Sequence, residues 1–369
     1  LCLGLVTGAH LAGIELLYGS YPITPASSML HSLAKMGAYG VDVFQAEDEI
    51  AAIGVALGAS YAGKLGVTGS SGPGMALKTE MLGLALAAEL PLVVVNAQRG
   101  GPSTGLPTKT EQSDLFQAVL GRNADAPLPV VAAATPGDAF HAAIEAIRLA
   151  VTAITPVILL TDGYLANASE PWAIPDVASL APIEVAPIGE RRPYDHDPAT
   201  LARPWIPVGT RGLRHRIGGL ERQDHTGTVS YDPANHQRMT ELRRAKVEKL
   251  ADHIPEQDFT AGGSGDDILV VGWGSTYGAI TTAVDELRAE GVNVAQIHLR
   301  HLAPFPRNLG EILTAFDKVL VPELNLGQLA TLLQGRYARR VATLDKVAGR
   351  PFQVREIKQR VLAELGEGR

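Results

Sequence analysis

Apolar positions along the first part of the chain follow two alternating patterns. Ala-rich stretches of helical length are separated by short β-branched runs bounded by glycine, the alternation that builds a parallel sheet covered by helices. It predicts strands at 42–45, 66–68, 92–96, 129–132 and 157–161, and helices at 25–36, 48–62, 75–88 and 136–152. These strands carry few charges, as strands covered on both faces do.

The pattern breaks after residue 165. Eight prolines fall between Pro171 and Pro207 inclusive, among charged clusters such as Arg191-Arg192 and Asp195-His196-Asp197. That composition predicts an extended connector with solvated charges. One helix interrupts it: Asp232 supplies an N-cap, Pro233 the first helical position, and the charged stretch runs to Asp252, before Pro255. A second α/β unit then begins, with strands at 268–271, 292–297 and 318–321 and a helix at 276–290. The expected organisation is an α/β parallel-sheet domain over 1–165, the connector over 166–263, and a smaller α/β domain over 264–369.

Composition narrows the classes of function. The 369 residues suffice for two domains. A net charge of −7 with only 5% aromatics excludes the basic, aromatic-interleaved surface of a nucleic-acid binder. The single cysteine, Cys2, excludes an intrachain disulfide, an all-cysteine zinc site and a self-contained iron–sulfur cluster. No apolar run reaches the ~18 residues of a spanning helix. The N-terminus has neither an initiator Met nor the basic region of a signal peptide. The expectation is a soluble cytoplasmic protein, the processed or truncated remainder of a longer one.

Three segments carry candidate chemistry. In Tyr21-Pro22-Ile23-Thr24-Pro25, Thr24 is placed to cap a helix with Pro25 at its first position, and such a helix start attracts an anion. Glu47-Asp48-Glu49 precedes a helix of small residues. Three acids in a first turn fit ordinary surface charge that suits the helix dipole; the alternative is that Glu49 points inward with the apolar face, where it could exchange a proton with a ring nitrogen. Gly66-Val67-Thr68-Gly69-Ser70-Ser71-Gly72-Pro73-Gly74 reads as strand, glycine turn and helix. It is no ATPase loop, because Lys78-Thr79 lies four residues beyond Gly74 instead of directly after it. The Gly272-x-Gly274-x-x-x-Gly278 turn is one residue too long for a dinucleotide site, and the scattered histidines form no metal motif.

Ser71 follows Glu49 by 22 positions, with Tyr-Pro-Ile-Thr-Pro upstream and Gln98-Arg99-Gly100-Gly101-Pro102-Ser103-Thr104-Gly105-Leu106-Pro107-Thr108 downstream. Glu49, its helix and Ser71-Gly72-Pro73-Gly74 resemble the pyrimidine-binding domain of thiamine-diphosphate enzymes. All three segments in this order resemble the alpha subunit of the 2-oxoacid:ferredoxin oxidoreductases, most like the 2-oxoglutarate type. The resemblance extends over essentially the whole chain, including Asp224-His225-Thr226-Gly227 and Asn325-Leu326-Gly327-Gln328-Leu329.

The resemblance implies a pyrimidine-type domain followed by a transketolase-C-terminal-like domain. It implies Glu49 on the aminopyrimidine nitrogen, Pro22, Ile23, Ser71 and Gly72 as further cofactor contacts, Thr24 and Arg99 on the 2-oxoacid carboxylate, and Thr108 as a substrate-loop contact. Arg suits that role independently, since its planar fork matches a carboxylate. The family anchors the diphosphate through Mg2+ on a Gly-Asp-Gly…Asn motif. Here Asp162-Gly163 follows Thr161 without a suitably spaced Asn, so it reads as a strand end. The resemblance therefore places the diphosphate half, Mg2+ and a 4Fe-4S cluster on a beta subunit, in a dimer of heterodimers with ferredoxin as acceptor and coenzyme A as co-substrate. A gamma domain often precedes this region in the family. Alternatives left open are a non-oxidative thiamine-dependent subunit and a non-catalytic scaffold.

Overall fold

The computed structural model describes residues 1–186, 188–189 and 191–366. Eleven strands are formed by the described residues: β1 (Leu16–Ser20), β2 (Val41–Gln45), β3 (Leu65–Ser70), β4 (Leu92–Gln98), β5 (Val130–Ala132), β6 (Pro156–Asp162), β7 (Ile268–Trp273), β8 (Val294–Leu299), β9 (His301–Ala303), β10 (Lys318–Glu323) and β11 (Ala342–Asp345). They make a seven-stranded sheet in the order β2-β1-β3-β4-β6-β5-β9 and a four-stranded sheet in the order β11-β10-β7-β8. Every pairing is parallel except β5 with β9. The expected architecture of two α/β units is therefore the observed one. β3, β4, β6 and β7 are buried along their whole length, which is why their sequences are mostly apolar and lack the alternation of a half-exposed strand.

Three features depart from the sequence reading. β1, next to the edge strand β2 in the large sheet, was not expected; Leu16-Leu17-Tyr18-Gly19-Ser20 is short and glycine-interrupted. Gly19 is required there, because a Cβ would run into the Ala52 carbonyl of the Glu49–Tyr61 helix. β9 comes from residues assigned to the second unit and closes the far edge of the first sheet. The connector is also anchored, not merely draped. The Trp205 indole donates to the Ser60 carbonyl at 2.9 Å, and Arg203, with Tyr194 against it, is buried with its guanidinium on the Ala88 and Glu89 carbonyls at 3.0 and 3.2 Å.

The Asp195-His196-Asp197 cluster is corrected in part. The His196 side chain is only 9% exposed and lies 3.7 Å from Glu89 and 3.4 Å from Asp224, so it belongs to a buried ionic cluster and not to solvent. The charged helix forms as expected: Pro233–Lys249 is capped by Asp232, whose carboxylate accepts from Asn235 N at 2.8 Å. Among the described residues, no helix is long and apolar enough to cross a membrane.

Candidate active site

The three candidate segments leave the C-terminal ends of β1, β2 and β3, and the Arg99 loop that of β4, as ligand sites in parallel sheets gather at strand carboxyl ends. β3 leads through Ser71 into the Gly72–Ala88 helix, and β2 leads through Asp48 into the Glu49–Tyr61 helix. Asp48 is the cap, its carboxylate accepting from Ala51 N at 2.8 Å, and both Glu47 and Asp48 are exposed. Glu49 is half-buried and turned toward the Gly72–Ala88 helix. A Cβ on Gly74 would stand 2.9 Å from Glu49 Cγ and collide with Tyr21 Oη and Ser70 Oγ. Gly74 therefore keeps open a cradle bounded by Glu49, Tyr21 and Ser70, the last two joined at 2.8 Å. Burial and the neighbouring Glu49 charge push the Tyr21 phenol up, so it stays protonated.

Polar atoms without partners line this region. Ser71 is buried with its hydroxyl unpaired, and the Arg99 Nε is likewise buried and unpaired. Gly72 offers open space, its nearest prospective neighbour being Asp114 Oδ2 at 3.9 Å. Asp114 is half-buried, and that desolvation raises its carboxyl against the opposing pull of the Asn96 amide at 3.0 Å. Orphaned buried donors carry a desolvation cost of about 1–3 kcal/mol each. Unpaired buried polar atoms of this kind are available to a ligand.

Thr24 departs from its expected role. The helix begins at Ser27, two residues later than a Thr24 cap demands, and runs only to Leu33. Ile23 N donates to Ser27 Oγ at 2.9 Å and Ser27 N to the Ile23 carbonyl at 2.8 Å, closing a turn around Thr24-Pro25 that holds Thr24 outside the helix. What Thr24 does is accept, through its backbone carbonyl, a hydrogen bond from Arg99 Nη1. The pairing of Thr24 with Arg99 is thus present, while the helix-start anion site at Thr24 is not. Pro22 is exposed, and Ile23 packs against Tyr21, Ala46 and Ala52 beside the Glu49 helix. Thr108 is exposed on a loop folded back on itself, with Gly100 N on the Lys109 carbonyl at 3.0 Å and Leu106 N on the Gly100 carbonyl at 2.8 Å. No contact joins Thr108 to Arg99 or Thr24.

The second domain holds the base of that loop. Gln112 donates to the Trp273 carbonyl at 2.8 Å, Asn325 Nδ2 reaches the Gln112 carbonyl at 2.8 Å, and Gln328 Nε2 reaches the Ser113 carbonyl at 2.8 Å. Asn325 and Gln328, recognised only as a motif, thus support the Arg99 loop from behind. Asp162 ends β6 as expected, accepting from Tyr164 and Leu165 N at 2.9 and 3.0 Å and from the Ser275 hydroxyl. Tyr21, Asn96, Asp114 and Lys78 were all missed. Lys78 alone left a signal: a lysine inside a helix whose neighbouring turns are small and apolar. A separate recess of about 1080 Å³, between residues 119–127, the Pro233–Lys249 helix and residues 302–307, contains none of the candidate residues.

Against known proteins, residues 7–236 match the pyruvate flavodoxin/ferredoxin oxidoreductase thiamine-diphosphate-binding model, and residues 266–357 match core domain II of pyruvate:ferredoxin oxidoreductase. The chain belongs to the pyruvate and 2-oxoacid:ferredoxin oxidoreductase family. Among its relatives is the 2-oxoglutarate oxidoreductase subunit KorA of Mycobacterium tuberculosis, 52% identical over 99% of this chain and 56% of that protein. The 2-oxoglutarate synthase subunit KorA of Archaeoglobus fulgidus is 35% identical over 88% of this chain and 86% of its own. The solved 2-oxoglutarate:ferredoxin oxidoreductase from Magnetococcus marinus, with 2-oxoglutarate, coenzyme A and succinyl-CoA bound, superposes with a TM-score of 0.91 at 35% identity over 99% of this chain and 64% of that one. The chain spans little more than half the length of the family members it matches first. A split-gene transketolase at 14% identity and a TM-score of 0.56 shares the fold alone.

Proposed function

We propose that this chain is the alpha subunit of a 2-oxoacid:ferredoxin oxidoreductase that converts 2-oxoglutarate and coenzyme A to succinyl-CoA and CO2, passing two electrons to ferredoxin. One observation carries the reading: Glu49 faces Tyr21 and Ser70 across Gly74, and Ser71, next along the chain, and Arg99, after β4, each carry a buried polar atom without a partner. The names of the relatives support the substrate and the co-substrate.

The residues present fit thiamine diphosphate. Glu49 would hold a ring nitrogen, Gly74 lets Tyr21, Ser70 and Glu49 close together around that point, and Ser71, Gly72, Pro22 and Ile23 would border the ring. The cofactor, when bound, supplies the nucleophilic carbon and electron sink that decarboxylation of a 2-oxoacid demands. Glu49 receives and returns a proton at the ring nitrogen. Arg99 holds the 2-oxoacid carboxylate, with its fork pre-aimed by the Thr24 carbonyl and its loop braced by Gln112, Asn325 and Gln328. Thr108 closes over the substrate from the exposed loop. Placing the reacting carboxylate by an oriented guanidinium removes much of the entropy of encounter.

The single cysteine of these residues supports a reading in which a partner beta subunit carries the 4Fe-4S cluster, Mg2+ and the diphosphate-binding half, in a cytoplasmic dimer of heterodimers. The test is to isolate the complex with its co-purifying chains, measure iron and thiamine, and assay 2-oxoacid-dependent reduction of a viologen dye. Dye reduction requiring thiamine diphosphate, coenzyme A and an iron-bearing partner is expected. Turnover without thiamine, or an iron-free partner, contradicts it.

A further inference from the structure

Lys78 is the buried charge the proposed chemistry does not use. It lies on the Gly72–Ala88 helix with no exposed surface. Its ammonium donates to the backbone carbonyl of Glu49 at 2.9 Å and to Thr68 Oγ1 at 3.1 Å, and stands 5.1 Å from the centre of the Tyr21 ring. All three direct partners are neutral. Among the described residues, no carboxylate oxygen lies within ion-pair distance of Lys78, in contrast to the buried Lys246, which pairs with Glu89. Packing does not call for a charge here, since a methionine of similar length fills such a space without desolvation cost.

We propose that Lys78 is a positioning residue for Glu49, gripping the turn that carries it and setting by its charge how the Glu49 carboxylate exchanges its proton. This rests on the thiamine reading above. The grip is geometric: the bond to the Glu49 carbonyl ties the first turn of one helix to the second turn of the other, across the cradle kept open by Gly74. The charge acts on a group with few other cations near it. The titratable and charged groups around the pair are Asp48 and Glu49 on their own helix, Tyr21 after β1, Arg99 after β4, and Glu111 and Asp114 at the end of the Arg99 loop. Burial lowers the proton affinity of Lys78 to about 7 against the pull of Glu49 and Asp48. The ammonium is therefore charged throughout the acid range. Removing a cation lets a neighbouring carboxylate keep its proton to higher pH.

The test uses the complex isolated with its partner, comparing Lys78→Met, Lys78→Gln and Thr68→Val for 2-oxoacid-dependent dye reduction across pH, thiamine diphosphate binding by fluorescence titration, and thermal melting. For Lys78→Met, kcat is expected to fall about 10- to 100-fold, as loosened positioning does, with KM for the 2-oxoacid changed less. The acid limb of the kcat profile should move up by about one pH unit. Lys78→Gln keeps a donor without the charge, so it should show the same shift of the limb with a smaller loss of kcat. Thr68→Val keeps the charge and should leave the limb where it is. An acid limb unmoved in both lysine variants overturns the proposal, whatever happens to kcat, because a merely structural lysine gives that result. Unchanged thiamine-dependent turnover in Glu49→Gln instead defeats the thiamine reading itself.

Discussion

Glu49 and Glu89 stand at opposite ends of two packed helices and in opposite electrostatic situations. Glu49 opens the Glu49–Tyr61 helix; Glu89 caps the end of the Gly72–Ala88 helix. Glu89 is 2% exposed and saturated: Lys246 and Arg222 form ion pairs with it, and His196 lies 3.7 Å away. Burial alone would push its carboxyl up, but Lys246 and Arg222 outweigh that and hold it well below the usual carboxylate range. Around Glu49 the neighbouring polar atoms are instead left open, with Ser71 Oγ and Arg99 Nε unpaired. An ionic network fastens the connector and the Pro233–Lys249 helix to the first domain. That network also leaves His196 Nε2, Arg203 Nε and Asp224 Oδ1 without hydrogen-bond partners, so what sets Glu89 apart is that its own carboxylate is paired with Lys246 and Arg222.

That contrast can be broken at either end. Glu49→Gln should reduce thiamine-dependent turnover about a hundred- to ten-thousandfold, the range of general acid–base contributions, while melting within about 2 °C of the parent complex, the shift of less than 1 kcal/mol expected at a surface-facing site. Glu89→Gln should do the reverse. Leaving Lys246 and Arg222 buried without their carboxylate costs about 3–5 kcal/mol, read as a lowered midpoint in chemical denaturation. Its pH dependence has a definite sign. Because the folded carboxyl lies below its ordinary 4.5, the stabilisation is complete above that pH and is lost as pH falls toward the folded value. The deficit of Glu89→Gln should therefore be full at pH 7 and shrink in acid.

Two smaller effects sharpen the comparison within the open site. Arg99→Lys removes the planar fork and should raise KM for the 2-oxoacid about tenfold, the loss of one charge-assisted hydrogen bond of about 1.5 kcal/mol. Ser71→Ala deletes a hydroxyl with no partner in the chain. Stability should hold within about 0.5 kcal/mol while thiamine diphosphate affinity falls roughly three- to tenfold by calorimetry.

The two α/β units were legible because their strands are covered on both faces and so read as apolar runs, and Glu49 because a short acidic cluster precedes a helix of small residues. Thr24 was singled out on a capping argument that the fold does not follow. A Thr-Pro pair signals a cap, yet Ser27 takes the bonds that fix the turn, and Thr24 meets Arg99 through its carbonyl across 75 residues. Tyr21 and Lys78 reach their partners across 49 and 29 residues of sequence, contacts that no local pattern encodes. His196 reads as solvated because its neighbours are Asp195 and Asp197; its burial follows from Glu89 and Asp224, which lie far from it in the chain. β9 carries no strand signal of its own, since it is three residues added to an edge that only the folded first domain presents.

The most direct measurement is a structure of the complex, isolated with its partner, with thiamine diphosphate and the 2-oxoacid bound. The account requires a pyrimidine nitrogen within about 2.6–3.2 Å of the Glu49 carboxylate, the ring over Gly74, and the substrate carboxylate on Arg99. A cofactor seated with its ring elsewhere, or Glu49 turned away from it, would contradict the assignment of this cradle as the half-site the chain contributes.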